Sequence, residues 1–168
     1  GLPDLSLDDC KSGPSLLELK EDLKEILSYE DKKLIYYFFL QYDCKNLVRL
    51  LKDADAQIDP KGNYIMEQYK DMMVSAREMN FNVHRYPSFM SEFARDYKYN
   101  KDSEGFFAED VMAQCFYEYA VKCPNKMIAS WFRMNYDITN VLTAMIARKN
   151  GWDVSSYVLG NGDVAELL

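Results

Sequence analysis

Two stretches of the chain spell one pattern: QYDCKNLVRLL at 41–51 and NYDITNVLTAM at 135–145 both read Tyr-Asp-x-x-Asn followed by apolar residues, 94 positions apart. At the same offset Leu34 aligns with Ile128, Tyr37 with Trp131, Phe38 with Phe132, Tyr42 with Tyr136, Asp43 with Asp137 and Asn46 with Asn140. An apolar line at Leu40, Cys44, Leu47 and Leu51 becomes Met134, Ile138, Val141 and Met145. Steps of four, three and four residues place such a line on one face of an α-helix, since side chains return to one side every 3.6 residues. Each copy then runs into a Gly/Asn turn, PKGN or LGNG, before a further helix. The expectation is a single all-helical domain over 1–168 with one unit at about 30–65 and a second at about 126–168, each presenting the same helical face.

Asp and Asn three residues apart lie on neighbouring turns beside the apolar line, where a packed neighbour can reach them. Buried there, they need hydrogen-bond partners. The residues Tyr42, Asp43, Asn46 and Leu47 with Gly62, and Tyr136, Asp137, Asn140 and Val141 with Gly160 and Gly162, are therefore expected to form a polar clamp that fixes how one helix docks on the next. The competing reading is two unrelated amphipathic helices whose polar residues face water.

The rest of the chain also reads as helix. Ser15 and Glu18 have capping-box spacing ahead of LLELKEDLKEIL. Helical stretches follow at about 31–52, 64–79, 89–97, 106–121 and 126–149. They are separated by Pro60 and Gly62, by NFNVHRYPS with Ser88 as a cap, by KYNKDSEG, and by Cys123-Pro124-Asn125. Asn150-Gly151 is a helix stop. Only VSSYVL at 154–159 has any strand character. The fold class is all-α, a helical bundle of repeated units.

Composition narrows the function. A net charge of -7 and a pI near 4.8, with no cluster of Lys and Arg, argue against a track for nucleic-acid phosphates. The longest apolar run, LIYYFFL at 34–40, is far short of the roughly 20 residues that span a bilayer. Cys10, Cys44, Cys115 and Cys123 contain no CxxC pair and no zinc spacing, so they read as reduced structural thiols in the cytoplasm.

Candidates for chemistry are few. His84 is the single histidine, set in a loop with no second ligand nearby in sequence, and a solvated or capping role suits it better than catalysis. Cys115 and Cys123 bracket FYEYAVK, yet cysteines on an apolar face are usually core. Glu109-Asp110 and Glu92 with Asp96 are expected to be solvated helix faces. The glycines at 160 and 162 lack the GK[ST] that would cradle a nucleotide. No catalytic residue, cofactor or metal is expected.

An apolar helix, then Asp-x-x-Asn-apolar-apolar, then a Gly-bearing turn opening another helix resembles the repeated unit of the funnel-like socket protein of V/A-type ATPases, known as the C subunit in bacteria and archaea and as the d subunit in eukaryotes. The residues that carry the resemblance are Asp43, Asn46, Leu47, Arg49 and Gly62, and Asp137, Ile138, Asn140, Val141, Arg148, Gly160 and Gly162. Cys44 and Lys45 depart from the family's apolar-polar pair, and two units stand where the family has three. The opening LPDLSLDD resembles uncharacterised proteins encoded among V-type ATPase genes in Bacteroides-like bacteria.

The resemblance implies a non-catalytic coupling protein of a rotary ATPase, a socket between the central stalk and the proteolipid ring at the inner face of the membrane. It would support ATP-linked proton or sodium transport. A free-standing cytosolic helical adaptor is the alternative, and a small enzyme using His84 a third. Both ends are expected to be cut: the leading Gly reads as a protease scar, and GNGDVAELL as the opening turn of a helix capped by Asp163.

Overall fold

A computed structural model describes residues 14–78, 85–160 and 162–168. Within them the chain forms α1 (Leu16–Ile26), α2 (Tyr29–Lys52), α3 (Met66–Glu78), α4 (Ser88–Asn100), α5 (Ala108–Ala120), α6 (Lys126–Asn150) and α7 (Asp163–Leu167), with a 3-10 turn at Val154–Ser156. No strand occurs among the described residues. The segment VSSYVL, the one stretch with strand character, instead closes its turn locally, with Ser156 N–H donating to Asp153 O and Tyr157 N–H to Val154 O.

The helix ends follow their capping chemistry. Ser15 accepts from the Glu18 amide at 3.2 Å while Glu18 accepts from the Ser15 amide at 2.7 Å, a complete capping box. Ser28 accepts from the Asp31 amide, which starts α2 two residues earlier than periodicity alone suggests. Asn125 caps α6 by accepting from the amides of Met127 and Ile128. Gly151 ends that helix in the left-handed region at φ +70°, where a side chain would be strained. At α4 the expected Ser88 cap is displaced by one residue: Ser88 is the first helical residue, and Pro87 stands at the cap with no side-chain hydrogen bond. Similarly, Asp163 is the first residue of α7 rather than its cap, which is Gly162.

The core forms where α2, α3, α4 and α5 meet. α5 packs on α2, α3 on α4, and α4 also touches both α2 and α5. Leu40, Leu47, Tyr69, Met72 and Met90 are wholly excluded from solvent. Aromatic rings join α2 to its neighbours: Tyr37 stacks on Tyr119 of α5 with centroids 5.6 Å apart, and Phe38 lies against Phe132 of α6 at 5.4 Å. α6 is held by α5 on one flank and carries α7 on the other. No described helix is long and apolar enough to cross a membrane.

Candidate functional site

In the first unit, the loop after α2 is hung on α2 by two side chains. Asn46 accepts from the Asp59 amide at 2.7 Å and donates to the Asp59 carbonyl at 2.9 Å, so one side-chain amide replaces a full pair of backbone hydrogen bonds. Asp43 accepts from the amides of Asn63 at 2.7 Å and Tyr64 at 3.1 Å, from the Asn63 side chain at 2.8 Å and from the Tyr69 hydroxyl at 2.6 Å. Both residues are completely buried. Gly62 lies in contact with this pair: a Cβ there would sit 2.5 Å from Asp43 Oδ1 and 2.9 Å from Tyr69 Oη. The loop is secured from the far side by Lys20 of α1, whose buried ammonium donates to the Lys61 carbonyl at 2.8 Å and to the Gly62 carbonyl.

The electrostatics follow from this burial. Loss of water pushes the Asp43 carboxyl above its usual range, against the hydrogen bonds from Tyr69, Asn63 and Tyr64 that pull it down. Burial lowers the Lys20 ammonium, assisted by Lys24 and opposed by Asp43. The Cys44 thiol is pushed well up by burial and by Asp43 beside it, and Cys115 is raised for the same first reason. Both therefore stay protonated and inert, as suits core thiols.

The second unit repeats one half of the clamp. Asn140 accepts from the Leu159 amide at 2.9 Å and donates to the Leu159 carbonyl at 3.0 Å, the same amide-to-backbone pair at a sequence separation of 19 residues instead of 13. Asp137 does not take the role of Asp43. It is half-buried, no described loop group donates to it, and it lines an open surface groove with Arg133, Met134 and Ile138. The place of the carboxylate over the glycine is taken by Tyr136, whose hydroxyl crowds Gly160 at φ +66° and whose ring stacks on Tyr117 at 4.8 Å. That hydroxyl is buried with no hydrogen-bond partner among the described residues. Its counterpart Tyr42 is half-buried, with the Lys61 ammonium 5.3 Å from its ring. Gly162 carries no comparable constraint, since a Cβ there would meet only Arg133 Nη1 at 3.7 Å.

The equal presentation of the two apolar lines is not what the structure has. Leu40 and Leu47 are 0% exposed and Cys44 4%, whereas Met134 is 48%, Ile138 49%, Val141 38% and Met145 60% exposed. The reason is tertiary: α5 lies along the line in α2, whereas beside the line in α6 the short α7 brings Val164 into the groove shared by Met134, Ile138 and Val141 and leaves each of the three at least 38% exposed. Leu47 is thus core, and Val141 is surface. Arg49 is exposed at the loop of the first unit, and Arg148 donates to the Leu168 carbonyl at 2.5 Å, tying α6 to the end of α7.

The alternative chemical candidates come to little. His84, like Cys10 and the opening LPDLSLDD, lies outside the described residues. Glu109 pairs with Lys52 at 2.5 Å across the surface, and Arg95 pairs with its neighbour Asp96 at 2.7 Å. Cys115 and Cys123 are free thiols. Among the described residues no group of His, Cys, Asp or Glu could hold a metal ion. Sequence reasoning missed Lys20, Asn63 and Tyr69 as members of the clamp. The pair Gly62-Asn63 offered a turn signal that could have drawn in Asn63, but nothing local distinguishes Lys20 from the solvated lysines of an amphipathic helix.

The chain belongs to a family described as "Protein of unknown function (DUF2764)", whose model matches residues 1–168. That match corrects the resemblance drawn from the repeated words: the V/A-type ATPase socket family does not match, and the chain is assigned neither there nor to a family defined by ATPase genes. The motif was short, and Asp137, one of its two carboxylates, does not do the work of the other. No curated protein and no solved structure matches the chain.

Proposed function

We propose that this family member is a non-catalytic helical scaffold that couples other proteins. The observation that carries the reading is the contrast between the two units. In each unit an asparagine ties the following loop back onto its own helix, yet the apolar line of α2 is buried while α6 leaves Met134, Ile138, Val141 and Met145 between 38% and 60% exposed. An apolar patch of that kind on an otherwise acidic surface suits a protein interface better than a reaction pocket.

The particular assembly we propose is a rotary V/A-type ATPase, with the protein peripheral at the inner membrane face, between the central stalk and the proteolipid ring, supporting proton or sodium transport. This finer step rests on the likeness of the Asp-x-x-Asn units alone and no longer on membership of the socket family. Its test is a pull-down of the protein from gently solubilised native membranes, with co-purifying chains identified by mass spectrometry. Recovery of catalytic, stalk and proteolipid chains together is the expected result. Recovery of a different, defined partner set replaces the rotary assembly with an independent helical adaptor, and a protein that emerges alone overturns the scaffold.

A further inference from the structure

The outward face of α6 is more regular than a scattering of exposed apolar residues. Met127, Trp131, Met134, Ile138, Val141 and Met145 follow one another at steps of four, three, four, three and four, and all six are between 38% and 72% exposed. This is the spacing of a helix-packing seam, sustained over about five turns or roughly 27 Å. The opposite side of the same helix is buried through Ile128, Phe132, Tyr136, Asn140, Ala144 and Ala147, so the fold already has its core stripe and does not need the second one.

The chain itself shows how such a seam is covered. The equivalent line in α2 includes Tyr37, Leu40, Cys44 and Leu47, and α5 lies along it. The two helices run antiparallel: Lys52 at the end of α2 pairs with Glu109 in the first turn of α5, and Tyr37 near the start of α2 stacks on Tyr119 near the end of α5. α5 turns Ala108, Met112, Phe116 and Ala120 inward, two large side chains between two small ones. Cys44 shares a groove with Met112 and Phe116, which places the covering helix over the middle of the line.

We infer that the α6 seam is the seat of one helix of a partner protein, standing to α6 as α5 stands to α2. That helix is amphipathic, antiparallel to α6, with an apolar stripe whose large side chains lie between small ones and with an acidic first turn. The acidic turn follows from charge. Lys149 stands in the last turn of α6, three residues beyond Ile146, the counterpart of the Lys52 that receives Glu109; Arg148 beside it donates to the Leu168 carbonyl, and the carbonyl end of α6 does not itself attract an acid there. The same charges disfavour a second copy of this chain. An antiparallel α6 pair would bring Lys126 to Arg148 and Lys149, and a parallel pair would set those two beside their own images.

This inference deepens the scaffold reading and rests on it for the existence of a partner. The test places a photoreactive benzoyl-phenylalanine at position 127, 138 or 145, or at Glu104 on an exposed loop as control, in the protein in its native cells. Adducts are mapped to residues by mass spectrometry. The expected result is adducts on one amphipathic helix at least tenfold above the control, with position 145 reaching the acidic N-terminal turn and position 127 the C-terminal end. Adducts on α6 of a second copy, adducts in the reverse order, or yields no higher than at Glu104 overturn the inference. If the pull-down still recovers a defined assembly in those cases, the seam fails and the scaffold stands; if it recovers nothing, both fail.

Discussion

Phe38 and Phe132 occupy the same position in the two units, and their rings lie against each other with centroids 5.4 Å apart. The flanking contacts are reciprocal. Phe38 meets Trp131 at 6.3 Å, and Tyr37, the counterpart of Trp131, meets Phe132 at 6.5 Å. Residue meeting counterpart, with crossed neighbours, is the pattern of a two-fold contact between like surfaces. The units therefore join through the residues they share, with Tyr37 and Trp131 of the two apolar lines taking part, and the rest of each line meets different neighbours. A double-mutant cycle of Phe38→Leu and Phe132→Leu in urea melts should return a coupling of about 0.5 to 1.5 kcal/mol. Strictly additive effects would show that the two rings are held independently.

Asn46 and Asn140 should be costly to replace despite sitting in different loops. Each is itself buried and satisfies one backbone amide and one backbone carbonyl of a partly buried loop residue, so Asn46→Leu and Asn140→Leu should each destabilise by about 1 to 3 kcal/mol. A loss of only a few tenths in either variant would mean that its loop detaches and is hydrated instead.

The glycines separate cleanly. Gly62→Ala drives a methyl into Asp43 Oδ1 and the Tyr69 hydroxyl, both of which are pinned, and should cost about 2 to 4 kcal/mol. Gly162→Ala meets only the end of Arg133 and should fall within roughly 0.5 kcal/mol of the native protein. Thermal melts of the pair decide the matter, and equal midpoints would refute the close packing around Gly62.

Acid should favour the clamp. Burial raises the Asp43 carboxyl above its ordinary 3.8, so the folded protein holds that proton to a higher pH than the unfolded chain does. The stability this group contributes is fully present below 3.8 and is lost as pH rises through the raised folded value. The stability difference between the native protein and Asp43→Asn should therefore grow on going from about pH 7 to about pH 3.5, with all other groups common to both. A difference that shrinks on acidification would reverse the sign, and would mean that the four donors around the carboxylate outweigh its loss of water.

Tyr136→Phe should be harmless or helpful. The hydroxyl is buried against Gly160 without a partner among the described residues, and removing it relieves an uncompensated desolvation of about 1 kcal/mol or more. Tyr69→Phe is the contrast, because it strips Asp43 and Asn46 of a partner. If Tyr136→Phe lowers the melting temperature, the hydroxyl has a partner after all.

Much of this arrangement is visible in the chain of letters because it is local. Periodicity and capping residues locate the helices, with errors of one to three residues that arise where caps compete, as Ser28 shows at one end of α2 and Pro87 at the start of α4. That a buried Asn46 and Asn140 need partners was also legible, since a polar residue beside an apolar helical line must be paired if it is buried; that the partner is the loop behind each helix rather than the next helix was not. The members added from afar were not: Lys20 lies 42 residues from Gly62 in sequence, and its ammonium is a clamp only because α1 folds back over that loop.

The sequence by itself determined an all-helical chain with two helices that share a pattern, each bearing an Asn that needs a partner if buried, because helix periodicity and the need to pair a buried amide act over one or two turns; that the partner is the following loop was decided by the structure. Only the tertiary structure decided that the two copies are not equals. Whether an apolar line becomes core or surface depends on what packs over it, and α5 covers the line in α2 while meeting α6 on the opposite face, at Phe132 and Tyr136. For the same reason Asp43 is a buried acceptor of four hydrogen bonds while Asp137, spelled identically, lines an open groove.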